Sequence, residues 1–121
     1  MTLSKRQFAL CLTSAALLLA GGAHAQTALD DVMKAKKITI AIPTDFPPYG
    51  FVGTDLKPQG LDIDMANYIG AKLGVAVELA PVTGTNRIPY LQTKKADLVI
   101  STLGKNAERE AVIDFTAAYS P

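Results

Sequence analysis

Between Ser101 and Arg109 the chain reads Ser-Thr-Leu-Gly-Lys-Asn-Ala-Glu-Arg, which sets hydroxyls, a glycine and a guanidinium within nine residues. The segment follows Leu98-Val99-Ile100, an apolar run that predicts a short buried strand, and it leads into a helical turn capped near Asn106. Free N–H groups at a helix start, and the positive end of its dipole, favour an anion at such a corner. Thr102, Gly104 and Arg109 are therefore candidates to hold a carboxylate. Two other stretches carry complementary chemistry. Asp45-Phe46-Pro47-Pro48-Tyr49 brings a carboxylate and two aromatic rings on a loop stiffened by paired prolines. Gly84, Asn86 and Arg87 bring a turn and a second guanidinium. An aromatic wall, one carboxylate, two guanidiniums, a hydroxyl and backbone N–H groups suit a zwitterion with an apolar stem. Each residue also has a plainer use: a surface arginine is usually solvated, Phe46 and Tyr49 can pack a loop onto a core, and Asp45 can cap a turn.

Asp62 and Asp64 invite a reading as an acid/base pair. Their spacing argues against it, because positions i and i+2 of a helix point about 200° apart and cannot converge on one substrate. The expectation is that both are first-turn acids favoured by the helix dipole.

The elements that must position these groups alternate along the chain. Ala28 to Lys37 predicts an amphipathic lead-in, and Ile38 to Ile42 a first strand of β-branched residues. Pro43 to Pro58, with prolines at 43, 47, 48 and 58, predicts a loop. Apolar residues at 61, 65, 66, 69 and 73 predict a helix from Leu61 to Leu73, ended by Gly74. Val75 to Leu79 follows as a second strand, and Arg87 to Lys95 as a helix that tolerates Pro89 in its first turn. Asp97 to Ser101 is expected to be a third strand, Asn106 to Val112 a short helix, and Ile113 to Thr116 a last strand. Alternating strands and helices imply an α/β fold whose parallel-rich sheet carries helices on both faces. Ligands of such sheets sit beyond the carboxyl ends of the strands, where all three candidate loops lie.

Composition narrows the function. Lys5 and Arg6, the 13 residues from Phe8 to Ala20, and the small residues before Ala25 predict a cleavable signal peptide over residues 1–25. The apolar stretch is shorter than the about 20 residues a membrane span needs. The lone cysteine, Cys11, and the lone histidine, His24, would leave with it. Ten basic and 11 acidic residues would remain, a net charge of −1. That inventory excludes Cys–His, Ser–His and zinc chemistry for residues 26–121, leaves no disulfide, and argues against nucleic acid as a partner.

Gly60-Leu61-Asp62-Ile63-Asp64-Met65, followed by Ile69 and Leu73, resembles the signature of bacterial family 3 extracellular solute-binding proteins. Thr44 to Tyr49, Asn86 to Leu91, Asp97 to Leu103, Glu108-Arg109 and Ile113 to Thr116 continue the resemblance in the family's order. The resemblance implies a type II periplasmic-binding-protein-like lobe, with residues 26–121 forming the N-terminal part of lobe I up to the hinge and the second lobe absent from this chain. It implies a periplasmic, monomeric receptor that closes on an amino acid and presents it to an ABC permease in the inner membrane, without cofactor, metal or catalysis. Arg109 matches the arginine on the ligand α-carboxylate, assisted by Thr102 and the backbone near Gly104. Phe46 matches the aromatic against the ligand stem, Asp45 an acid near the α-amino group, Gly84 a backbone contact, and Arg87 an arginine found in receptors for acidic amino acids. One lobe alone is expected to bind very weakly, since it covers one side of the ligand. The alternatives on this fold are a cyclohexadienyl or arogenate dehydratase-like enzyme, the sensor domain of a membrane kinase, or a lytic transglycosylase.

Overall fold

The computed structural model describes residues 20–121, with side chains from Thr27 onward. Ten elements follow one another: α1 (Ala20–Ala35), β1 (Lys37–Pro43), β2 (Asp45–Phe46), β3 (Gly50–Val52), β4 (Pro58–Gln59), α2 (Leu61–Leu73), β5 (Ala76–Val82), α3 (Arg87–Gln92), β6 (Leu98–Val99) and α4 (Ala107–Glu110). The main sheet has the order β5-β1-β6, and β1 runs parallel to both neighbours. All three strands therefore send their following loops to one edge.

Strand β1 is central because its sequence suits burial on both sides. Ile38, Ile40 and Ile42 face one side, where they pack with Val32 of α1, Ile63 and Ala66 of α2, and Ile100. Ala41 faces the other side, with Val82, Ala96 and the partly buried Tyr90 of α3. β-branched side chains fit this pleated surface, and a small residue on the second face lets α3 approach. Burying one such isoleucine is worth about 1.5–3 kcal/mol. Helix α2 ends where Gly74 adopts a left-handed conformation, φ 69°, and returns its N–H to Ala71.

The region expected to be a loop, Pro43 to Pro58, is more ordered than its prolines suggest. Strands β2, β3 and β4 form a small antiparallel sheet in that order, an arm that stands at the carboxyl end of β1. Its strands are two or three residues long, too short for alternation to register in the sequence. Gly50 anchors the arm, since a Cβ there would collide with the Pro43 carbonyl oxygen. Gly60, at φ 120°, lets the chain turn from the arm into α2, and a Cβ there would strike the Tyr49 carbonyl oxygen.

Other expectations need correction. Helix α1 starts at Ala20 and runs past Ala25, so it is longer than the lead-in from Ala28; residues 1–19 of the expected signal peptide lie outside the described residues. Strand β6 is two residues long and α4 is a single turn. Ile113 to Thr116 forms no strand among the described residues, because β6 and β5 are the sheet's edges and the segment pairs with neither. No helix among the described residues is long and apolar enough to cross a membrane.

Two substitutions test this packing. Ile40→Ala, at a fully buried position, should cost about 2–5 kcal/mol in urea unfolding. Gly60→Ala should cost at least about 2 kcal/mol, because it combines left-handed strain with a clash against backbone. A loss below about 0.5 kcal/mol at either site would contradict the packing described.

Candidate functional site

The three loops after β1, β5 and β6 converge at the carboxyl edge, and the third loop is held by two arginines. Arg87 begins α3, beyond β5. Its Nη1 donates to Ser101 Oγ at 3.4 Å, so its side chain crosses the end of the central strand to the loop beyond β6. Its Nε is buried without a hydrogen-bond partner. Arg109, from α4, donates through Nη1 to the Gly104 carbonyl at 2.6 Å. Burial, and secondarily the positive charge of Arg109, lower the Arg87 pKa from its ordinary value. The ion pairs among the described residues are Lys37–Glu78 and Lys105–Glu110, so neither arginine is neutralised by a carboxylate. Two mutually repelling guanidiniums, one with an unused buried N–H, form a field that an anion would relieve.

The helix-dipole part of the expectation does not hold. Helix α4 has four residues, too few for a substantial aligned dipole. Its cap is closed as well: Asn106 Oδ1 accepts from the Arg109 backbone N–H at 2.8 Å. The positive character of this corner comes from side chains. Gly104 is not a required glycine either, since a Cβ there would meet only Arg109 Nη1, at an ordinary 3.6 Å.

Phe46 and Tyr49 stack with ring centroids 6.0 Å apart, Phe46 half exposed and Tyr49 partly buried. Tyr49, Thr102 and Gly104 border a groove of about 570 Å³ that runs down past Met65 and Ile69 to the segment ending at Tyr119. Asp45 lies on the arm, exposed. Gly84 is exposed in the turn closed by Asn86, whose Oδ1 accepts from the Thr83 N–H at 2.7 Å. Asp45, Phe46, Gly84 and the two arginines share the edge of the sheet but do not line the groove.

Sequence reasoning missed two residues. Ser101 was passed over for Thr102, yet it is Ser101 that meets Arg87. Asp62 and Asp64 both stand in the first turn of α2, as their spacing predicts, but the burial of Asp62 is not foreseen. Asp64 is exposed, but Asp62 is only 1% exposed, and its Oδ1 accepts from the Tyr119 hydroxyl at 2.8 Å while Oδ2 has no partner. The signal available in the sequence was helical spacing: Asp62 shares a face with the apolar Met65, Ala66 and Ile69.

Residues 38–121 match the model of the bacterial extracellular solute-binding proteins, family 3. The chain belongs to this family. The L-cystine-binding protein TcyJ of Escherichia coli K12 is 28% identical over 92 residues, which cover 76% of this chain and 35% of that protein. The arginine-bound form of domain 1 from TmArgBP, the ArgBP of T. maritima, superimposes with a TM-score of 0.71 at 32% identity, covering 74% of this chain and 71% of that domain. An ancestral cyclohexadienyl dehydratase gives a TM-score of 0.72 at 29% identity, over 76% of this chain and 38% of that one. The chain spans about a third of the length of the curated relatives it matches. Its fold is therefore part of a type II periplasmic-binding-protein domain, and its family consists of substrate-binding proteins that act outside the cytoplasm, although the fold also serves a dehydratase lineage.

Burial raises the Asp62 pKa above its ordinary 3.8, and the Tyr119 hydrogen bond offsets part of the rise. A folded-state pKa above the unfolded one gives stability that is complete below pH 3.8 and is lost as pH rises through the folded value. Asp62→Asn cannot ionise and should not share this loss. Melting temperatures from pH 3 to 7 should therefore show the parent chain falling relative to the variant as pH rises; the opposite trend would contradict the assignment.

Proposed function

We propose that this chain is the ligand-facing part of an amino-acid receptor for an ABC importer, in which Arg109 and Arg87 take the carboxylates of the ligand. The observation that carries the reading is the pair of guanidiniums, unneutralised by any acid, that both engage the loop beyond β6. Arg109 holds the α-carboxylate, with Thr102, Ser101 and the backbone near Gly104 completing its hydrogen bonds. Phe46, supported by Tyr49, lies against the apolar stem, Asp45 meets the α-ammonium, and Gly84 contributes backbone. Arg87 is left for a second carboxylate, which favours an acidic amino acid. The family assignment supports the transport role, and the similar cystine- and arginine-binding proteins support an amino acid as the ligand class. Export by a signal peptide over residues 1–25, residence in the periplasm as a monomer, and delivery to a permease complete the proposal. The family assignment and the similar binding proteins favour the receptor over the dehydratase reading.

A single lobe encloses one side of its ligand, and the proposed affinity of this chain is correspondingly low. An arginine-bound single domain among the similar structures supports measuring binding on one lobe directly. Ligand at about ten times its Kd stabilises a protein by about 1.4 kcal/mol, enough to see as a thermal shift. Screened against the twenty amino acids at millimolar concentration, the chain should melt highest with glutamate or aspartate. Arg109→Ala should weaken every ligand by about ten- to a hundredfold, and Arg87→Met should weaken acidic ligands selectively. A screen in which no amino acid raises the melting temperature would overturn the reading, and a preference for lysine or arginine would overturn its acidic part.

A further inference from the structure

The carboxylate of Asp62 is nearly solvent-free and stands at a junction of three parts of the molecule. Its own helix, α2, begins beneath the aromatic arm: the Leu61 N–H donates to the Pro48 carbonyl at 3.2 Å, and the Asp62 N–H to the Tyr49 carbonyl at 2.8 Å. Its side chain reaches the other way, to the Tyr119 hydroxyl. Tyr49 and Tyr119 border the same groove. One residue thus joins the arm through its backbone and the terminal segment through its carboxylate.

Residues 114–121 contain no helix or strand. Among the described residues, Tyr119–Asp62 is the one hydrogen bond that connects this segment to the rest of the chain; Thr116 Oγ1 donates only to its neighbour, the Ala117 carbonyl. The segment otherwise forms one wall of the groove, where Phe115 is its half-buried apolar residue. A surface acid in the first turn would gain from the helix dipole at no desolvation cost. Burial with one oxygen unpartnered is expensive by comparison, so the site calls for a role beyond capping.

We propose that Asp62 is a positioning residue, a buried latch that seats the 114–121 segment on α2 through Tyr119 and, through its own N–H on the Tyr49 carbonyl, ties that segment to the aromatic arm of the ligand edge. Its effect on affinity rests on the proposed amino-acid-binding function; its effect on the segment does not. Without the latch, the arm keeps its backbone bonds to α2, but the groove it borders loses the wall that Tyr119 supplies. The ligand then meets a wall that must be ordered on binding.

Limited proteolysis with chymotrypsin on the ligand-free chain, read by mass spectrometry as cleavage after Phe115, tests the latch, using Tyr119→Phe, which removes one hydroxyl, together with Asp62→Leu and Asp62→Asn. Tyr119→Phe and Asp62→Leu should each speed this cleavage by about tenfold or more, with β1 still uncut, and the double variant should exceed neither by much. Asp62→Asn, which keeps an acceptor for the hydroxyl, should be cut no faster than the parent. Unchanged cleavage in Tyr119→Phe, or cleavage of Asp62→Asn as fast as that of Asp62→Leu, would overturn the latch. In the same samples, Tyr119→Phe should weaken the best amino acid severalfold. Release of the segment with affinity intact would overturn its coupling to the ligand edge, while a parent chain that binds no amino acid would count against the proposed function and leave the cleavage result to judge the latch alone.

Discussion

Everything at the ligand edge depends on β1 being buried on both faces between two parallel neighbours. Parallel pairing sends the chain out of all three strands at the same end, and the central place of β1 puts its loop between the other two. The alternation of isoleucines on one face with Ala41 on the other is what permits helices on both sides. From that constraint follows the span of Arg87, which can reach Ser101 only because the strands carrying the two flanking loops lie one strand apart. The electrostatics then follow from topology: two cations from different loops both engage the loop beyond β6.

Long, strongly patterned elements were legible in the sequence. The apolar spacing of Leu61 to Leu73 and the glycine after it defined α2 at both ends, and Ile38 to Ile42 marked the core strand within a residue of its limits. The arm was not legible, because strands of two or three residues between prolines carry no period. Ile113 to Thr116 failed for a different reason. It has the composition of a strand, but composition supplies no partner, and a strand exists only by pairing.

At the site, residue types proved easier to read than their surroundings. Arg87 and Arg109 were recognisable as cations at a sheet edge, and they do hold the third loop. The helix dipole expected beside them required a helix longer than one turn, which local spacing around Asn106 could not specify. Asp62 and Asp64 had one chemistry and one helix turn between them, yet one is buried and the other exposed. What separates them is the side of α2 on which each falls and the distant Tyr119, 57 residues along the chain. A partner that far away leaves no trace in a local window.

In the proposed site the two guanidiniums receive the carboxylates of the ligand. Nuclear magnetic resonance of the arginine Nε–H groups, with the chain titrated first with glutamate and then with the amine that lacks its α-carboxylate, reads that contact directly. Glutamate should shift both the Arg87 and Arg109 signals and slow their exchange with water, and the decarboxylated amine should leave Arg109 unmoved. If glutamate at saturating concentration moved neither signal, or the amine moved Arg109 as far as glutamate does, the arginines would not be the carboxylate site.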